Sequence, residues 1–266
     1  MEIKGLDHGD AGILINLQPE GWPDIIPSFD FYTNAPFCFP IKVVADNAIA
    51  GIGAAIIHND VAWLGHIIVH PNHRGKGIGR LITQTLVDIS NQNKCETIYL
   101  IATDLGSPVY QKVGFITETE YLFFKDIGLG ELSGASTYIE PYRDEFREQV
   151  SILDKLTSGE DRMFHLANHL EHGSLYRRNN IVEGFYLPTW GEGLIIANTE
   201  SAGLELLKQH LSIEDKAAFP KENLAATAFL HEKGFKEIRT AKRMRLGKYR
   251  NVNLANIYNR IAGNIG

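Results

Sequence analysis

Residues 39–92 constrain the fold most. FPIKVVAD, AIAGIGAAIIHND and VAWLGHIIVH are β-rich runs separated by the turn pairs Asp46-Asn47 and Asn59-Asp60, the pattern of an antiparallel meander. GIGRLITQTLVDISNQ follows at once, with Ile78, Leu81, Ile82, Leu86 and Ile89 at helical spacing. TIYLIAT then reads as an apolar strand, SPVYQKVGF as a short helix ending at Gly114, and ITETEYLFFK as an alternating strand. Upstream, MEIKGL reads as a strand, and DAGILINLQ and GWPDIIPSFDFY as helical or irregular segments broken by Gly21, Pro23 and Pro27. Strands and helices in this order call for an α/β (α+β) layer with helices packed on a central, mostly antiparallel sheet.

The order then repeats. Beyond the Gly- and Ser-rich junction IGLGELSGAS come helices (REQVSILDKL, EDRMFHLANHLEH), strands (NIVEGFYLP, EGLIIAN), a helix (ESAGLELLKQHL), a weak strand (KAAFP), a helix (ENLAATAFLHEKGF) and a strand (KEIRTAKRMRL). YQKVGF at 110–115 and LHEKGF at 230–235 occupy the same helix-to-strand turn, 120 positions apart, which points to tandem duplication. The boundary falls near residue 130, giving domains over 1–128 and 131–250 and a tail over 251–266. A length of 266 residues accommodates two ordinary domains.

Composition excludes several classes. No apolar run approaches the roughly 18 residues that a membrane-spanning helix needs. The first residues show no secretory signal, so a cytoplasmic location is expected. Two cysteines, Cys38 and Cys95, make no disulfide framework, and no His/Cys/carboxylate spacing suggests a metal site. The net charge of −6 opposes nucleic-acid binding, although residues 236–250 hold seven basic groups against Glu237. A strand with a solvated basic face is the favoured reading of that run. The acidic excess lies before residue 130, where 8 basic residues face 14 acidic ones, and it mildly favours a cationic ligand.

WLGHIIVHPNHRGKGIGR carries the chemistry. A strand ending near His70 runs through Pro71 to a helix whose start holds Gly75, Gly77 and Gly79 among Arg74, Lys76 and Arg80. Free N–H groups and the positive end of a helix dipole, beside glycines that let a phosphate approach the backbone, make an anion site. It is not a Walker A loop, because Gly77 and not Ser or Thr follows Lys76, nor a Rossmann turn, because G-x-G-x-G replaces G-x-G-x-x-G after an antiparallel meander.

Arg74, Gly77 and Gly79 form R-x-x-G-x-G, which resembles the pyrophosphate loop of the GNAT superfamily of acetyl-CoA-dependent N-acetyltransferases. Ile67-Ile68-Val69-His70-Pro71 is similar to that superfamily's fourth strand, and Tyr110 with Gly114-Phe115 to its Y-x-x-x-G-F segment. Gly21-Trp22, Trp63-Leu64-Gly65, Ala102-Thr103, Gly106 and Pro108 resemble a bacterial group that carries a second, divergent GNAT-like domain. Asp161-Arg162 in a helix and Asn223-Leu224-Ala225-Ala226 before the last helix fit that second domain. Its loop position reads ANTESAGLE, with no basic residue and one glycine, so no CoA is expected there.

The resemblance implies two tandem GNAT-like domains. The first would be an N-acetyltransferase that moves an acetyl group from acetyl-CoA to a primary amine by direct attack in a ternary complex, and the second a degenerate copy that completes the acceptor site or forms a homodimer surface. It implies cofactor contacts at Ile67, Ile68, Val69, Arg74, Gly75, Lys76, Gly77, Ile78, Gly79, Arg80, Thr103 and Tyr110. Tyr110 would be the general acid for the leaving thiolate, since a phenol with a pKa of about 10 stays protonated at neutral pH. Trp22, Asp30, Phe31 and Trp63, with Phe29 and Tyr32, are candidates to line the pocket of a small-molecule or peptide amine. Asp30, Asp104, Glu118, Glu120 and His66 are candidate bases and none stands out. Strict alternation places His66 on the face opposite Trp63, Gly65, Ile67 and Val69, a structural role. The rival from another class is a non-catalytic acyl-CoA sensor.

Overall fold

The computed structural model describes residues 1–126 and 136–266. The chain divides into two units that are discontinuous in sequence: Met1–Glu118 with Lys242–Tyr249 and Gly263–Gly266, and Thr119–Ala241 with Arg250–Ala262. Most of the junction IGLGELSGAS lies outside the described residues.

In the first unit, strand β1 (Glu2–Gly5) is followed by helices α1 (Ala11–Leu14) and α2 (Ile26–Asn34), then by β2 (Cys38–Ala45), β3 (Ala48–His58) and β4 (Val61–Val69). The β2–β3 turn is tight because Asp46 and Asn47 both adopt positive φ, 51° and 61°, the conformation a two-residue hairpin loop needs. Helix α3 (Ile78–Gln92) crosses over to β5 (Thr97–Ala102), which runs parallel to β4. Helix α4 (Ser107–Val113) ends at Gly114 as expected, and β6 (Ile116–Lys125) begins beyond it. Ile78, Ile82 and Leu86 of α3 are fully buried and pack with Ala62, Leu64, Ile98, Leu100 and Met244 into one core.

β5 takes its second partner from far along the chain. Lys242–Gly247, the end of the last long strand, pairs antiparallel with Ala102–Thr97. The solvated-face reading of the basic run fails in its middle: Lys236–Thr240 and Lys248 are exposed, whereas Arg243 and Arg245 are buried. Arg243 lies over Tyr99, 4.2 Å from the ring centroid, and both guanidinium groups reach Glu118, at 3.4 Å from Arg243 and 2.5 Å from Arg245. Aromatic faces and a shared carboxylate supply what solvent would otherwise give these charges.

The second unit holds Thr119–Lys125 of β6, β7 (Ile139–Pro141), α5 (Arg147–Ser158), α6 (Met163–Leu166), β8 (Ser174–Arg178), β9 (Ile181–Leu187), β10 (Leu194–Ala197), α7 (Glu200–Leu211), β11 (Lys216–Pro220), α8 (Leu224–Glu232), the Lys236–Ala241 part of β12 (Lys236–Gly247) and β13 (Ile257–Asn259). Strands β13-β10-β9-β8-β7 make an antiparallel sheet, and β11 pairs with Tyr121–Lys125. EDRMFHLANHLEH is not one helix: α6 is a single turn, and Asp161 and Arg162 precede it. Arg162 turns back to bond Asp154 through Nε and Nη2 at 2.9–3.2 Å, a buried pair that fixes the chain before the turn. Asn223 caps α8 through a bond from Ala226 N.

Candidate active site

Pairing of β4 with β5 stops at Leu64↔Leu100, although β4 runs on to Val69 and β5 to Ala102. Beyond that point β4 stays bonded to β3 through Gly51↔Val69 and Ile52↔Ile68, and β5 to Lys242–Gly247. The two strands therefore part, and the backbone groups of Ile67, Ile68 and Val69 that would have faced β5 have no ladder partner there.

A bulge causes the parting. Between Ala54↔Gly65 and Ile52↔Ile68, β4 spends one more residue than β3, and the extra residue, His66, takes φ +50°. The bulge also reverses the faces that strict alternation assigns. Ile67 and Val69 pack with Ala62 and Leu64 on the α3 side. His66 turns to the other side, against α2, where its ring centroid lies 5.6 Å from Phe29 and from Tyr32 and 6.2 Å from Trp22. Tyr32 Oη lies 2.7 Å from His66 Nδ1. Burial pushes the imidazole down to about 4 and raises the Tyr32 phenol far above its usual range.

The glycine loop opens beside the gap. After β4 comes one 3-10 turn, Pro71–His73, and Arg74 Nε bonds Val69 O at 3.2 Å. Gly75 and Gly77 have φ +75° and +82°, and Gly77 caps α3 with no side chain bonded to the helix end. A Cβ on either glycine would meet nothing within 4 Å, so the ground above the loop is open. Gly79 is more telling. Its φ is not positive and an added Cβ would touch only Val69 and Val109, at 3.6 and 3.9 Å. Nothing in the protein itself requires glycine there. Arg74, Lys76 and Arg80 are exposed around the loop, and Ile78 is buried beneath it.

Tyr110 sits on α4, buried, with its pKa pushed up to about 12 by desolvation. Thr103 is exposed at the end of β5, and its hydroxyl accepts from Gly106 N at 3.2 Å.

The candidate acceptor residues do not all converge. Trp22 is exposed and borders His66. Trp63 is fully buried, 5.0 Å from Tyr99. Asp30 and Phe31 point outward from α2: Asp30 lies 3.6 Å from His8, and Phe31 packs toward Phe37. Phe29 and Tyr32, on the inner face, take the place beside His66. Helical spacing could have separated these two pairs, but the His66 bulge has no clear sequence signal. Glu118 is held by Arg243 and Arg245. Glu120 lies 3.8 Å from Lys221.

The equivalent turn of the second unit is filled. Thr199 caps α7 through Ala202 N and also bonds Glu183. The single glycine, Gly203, faces the Tyr258 ring, which an added Cβ would meet at 2.0 Å. β13 lies between β10 and β11: Ile195 and Ile196 pair with Asn259 and Ile257, Arg260 N bonds Ala218 O, and Asn259 Oδ1 accepts from Ala218 N. The opening between strands in the first unit is thus closed in the second by the chain itself. Among the described residues no helix is long and apolar enough to cross a membrane, and no His/Cys/Asp/Glu group could hold a metal.

Comparison with known proteins agrees with this geometry. Residues 13–115 match the model of the acetyltransferase (GNAT) family. Glucosamine 6-phosphate N-acetyltransferase of Trypanosoma brucei brucei is 34% identical over 55 residues, 20% of this chain and 37% of that protein, so the chain matches little more than a third of that relative's length. Among solved structures, a Pyrococcus horikoshii protein provisionally named an acetyltransferase superposes with a TM-score of 0.83 at 21% identity, covering 100% of this chain and 95% of that one. A tandem GNAT protein from the clavulanic acid biosynthesis pathway superposes with a TM-score of 0.63 at 13% identity, covering 92% and 98%. The fold is that of tandem GNAT proteins, and residues 13–115 carry the match to the acetyltransferase (GNAT) family.

Proposed function

We propose that the first unit is an acetyl-CoA-dependent N-acetyltransferase acting on a primary amine in a ternary complex. The observation that supports it most is the gap that opens past Leu64 and Leu100 beside the uncapped start of α3. A pantetheine arm needs such a slot, with backbone groups to bond its amides, and a pyrophosphate needs free N–H groups at a helix start. Gly79 fits a phosphate approaching the backbone, since the protein's own packing leaves room there for a side chain.

Bound acetyl-CoA supplies an acetyl group activated as a thioester. Ile67, Ile68 and Val69 line the slot, where those of their backbone groups that turn toward β5 have no strand partner, Val69 O being bonded by Arg74 Nε. Arg74, Gly75, Lys76, Gly77, Ile78, Gly79 and Arg80 hold the pyrophosphate by charge and main-chain N–H. Thr103 and Tyr110 border the slot from the β5 side. Tyr110 Oη, kept protonated by burial, is the proton donor at the leaving sulfur. The second unit carries no cofactor, because β13 and Tyr258 fill the corresponding space.

Release of free thiol from acetyl-CoA, followed with a panel of amines, amino acids and short peptides, tests the reading. Wild type should turn over one acceptor class, and Tyr110→Phe should slow it about a hundredfold. Acetyl-CoA binding by calorimetry with every acceptor untouched would replace the enzyme by a sensor.

A further inference from the structure

Residues Gly263–Gly266 lie on the first unit, against β4. Gly65 leaves the room: a Cβ there would stand 2.3 Å from Asn264 Cβ and 2.9 Å from its Cα. Gly266 lies on the Trp63 ring, whose Cζ2 an added Cβ would meet at 2.6 Å. Pinned on both sides, Asn264 places Nδ2 2.5 Å from Tyr32 Oη, which itself lies 2.7 Å from His66 Nδ1.

This chain of three groups has a direction. The Asn264 amide nitrogen has only protons to offer, so Tyr32 Oη accepts from it. Tyr32 has one proton, and it goes to His66 Nδ1. A ring nitrogen that accepts is unprotonated, so the neutral imidazole carries its proton on Nε2. Burial in the ring of Trp22, Phe29 and Tyr32 keeps the imidazole neutral at physiological pH. Its one free lone pair is occupied by Tyr32, which makes it unsuited to take a proton from an amine. No described residue bonds Nε2.

We infer that Asn264 and Tyr32 are positioning residues that hold His66 as a hydrogen-bond donor, and that His66 Nε2–H recognises an oxygen adjacent to the amine of the acceptor. The acceptor class is then an amino alcohol, amino sugar or amino acid, in preference to a plain alkylamine or polyamine. The acceptor assignment rests on the acetyltransferase reading; the direction of the chain does not.

The imidazole nitrogens of the labelled full chain, read by 15N NMR, decide the direction independently of activity. Wild type should show His66 with Nε2 protonated and Nδ1 bare. Asn264→Asp turns the donor into an acceptor, so Tyr32 donates to the carboxylate and His66 switches to protonated Nδ1. A wild-type Nδ1–H form, or no switch on a folded Asn264→Asp chain, overturns the relay. In thiol-release kinetics, His66→Gln keeps an N–H donor near the Nε2 position and should retain KM within about threefold. His66→Leu should raise KM about tenfold for oxygen-bearing acceptors and leave that of matched alkylamines unchanged. Equal losses for both acceptor types, or preferred turnover of polyamines, overturn the acceptor assignment. Absence of turnover with any amine rejects the acetyltransferase reading and the acceptor assignment with it, while the NMR result still decides the relay.

Discussion

Tyr110 folds back over Gly106: a Cβ at Gly106 would stand 2.8 Å from Tyr110 Cε2 and 3.1 Å from its hydroxyl. Glycine at 106 therefore sets where the phenol goes, four residues before it on the start of α4. Gly106→Ala should push the ring outward and lower kcat by about tenfold or more, with acetyl-CoA affinity changed less, because the loop at α3 is untouched. It should also cost about 1–3 kcal/mol of stability through overpacking, measurable by urea unfolding. An unchanged kcat would mean that the position of the hydroxyl does not matter to the chemistry.

Burial raises Tyr110 to about 12, so the proton-donating form persists to higher pH than in a free phenol. Activity governed by this group should stay level through pH 10 and decline only as pH approaches 12. The rate of thiol release against pH, at saturating acetyl-CoA, checks it. A decline centred near 10 would show a solvated phenol.

The loop glycines separate stability from binding. Gly77 adopts φ +82°, where an L side chain is strained, so Gly77→Ala should cost about 1–2 kcal/mol. Gly79 is unstrained and roomy, so Gly79→Ala should leave Tm unchanged yet weaken acetyl-CoA binding about tenfold. Thermal melts beside calorimetric titrations read both. A Gly79→Ala chain that binds as wild type would place the pyrophosphate elsewhere.

Much of this arrangement is legible in the sequence, and its limits are physical. Periodicity and turn pairs mark β2, β3, β4 and α3 because each runs long enough for its own pattern to show. The loop is legible because glycine and arginine at fixed spacing have few other uses. Alternation places His66 rightly opposite Ile67 and Val69 but wrongly opposite Trp63 and Gly65, because it assumes an unbroken ladder and one extra residue in β4 shifts every side chain beyond it. Asn264, 198 positions beyond His66, has no local signal at all: its role comes from a long-range approach that only Gly65 permits. Arg243 and Arg245 look solvated in sequence because their partners, Glu118 and Tyr99, lie more than a hundred residues away.

His66 links the site to acid stability. Its folded value of about 4 lies below the ordinary 6.5, so between these pH values the unfolded chain binds more protons. The stabilisation is complete above 6.5 and is lost as pH falls through 4, to a total of roughly 3 kcal/mol. His66→Gln should flatten the stability profile between pH 4 and 6.5, as urea midpoints would reveal. A profile with the same slope in the variant would assign the acid sensitivity to other groups.

The closed turn of the second unit predicts a stoichiometry. Thr199 satisfies the start of α7, Tyr258 stands over Gly203, and β13 occupies the space between β10 and β11. A CoA bound there would have to displace Ile257, Tyr258 and Asn259, all buried, together with the Asn259–Ala218 hydrogen bond. Leaving these groups without partners costs far more than a surface contact returns. Calorimetry should therefore give one acetyl-CoA per chain, and Arg74→Ala with Gly79→Ala should abolish the single isotherm without exposing a second one. Gly203→Ala acts by a different route, since its Cβ would lie inside the Tyr258 ring, and should unfold the second unit by several kcal/mol. Two equivalents bound by wild type would show that β13 can leave the sheet and that the second unit keeps a usable cofactor site.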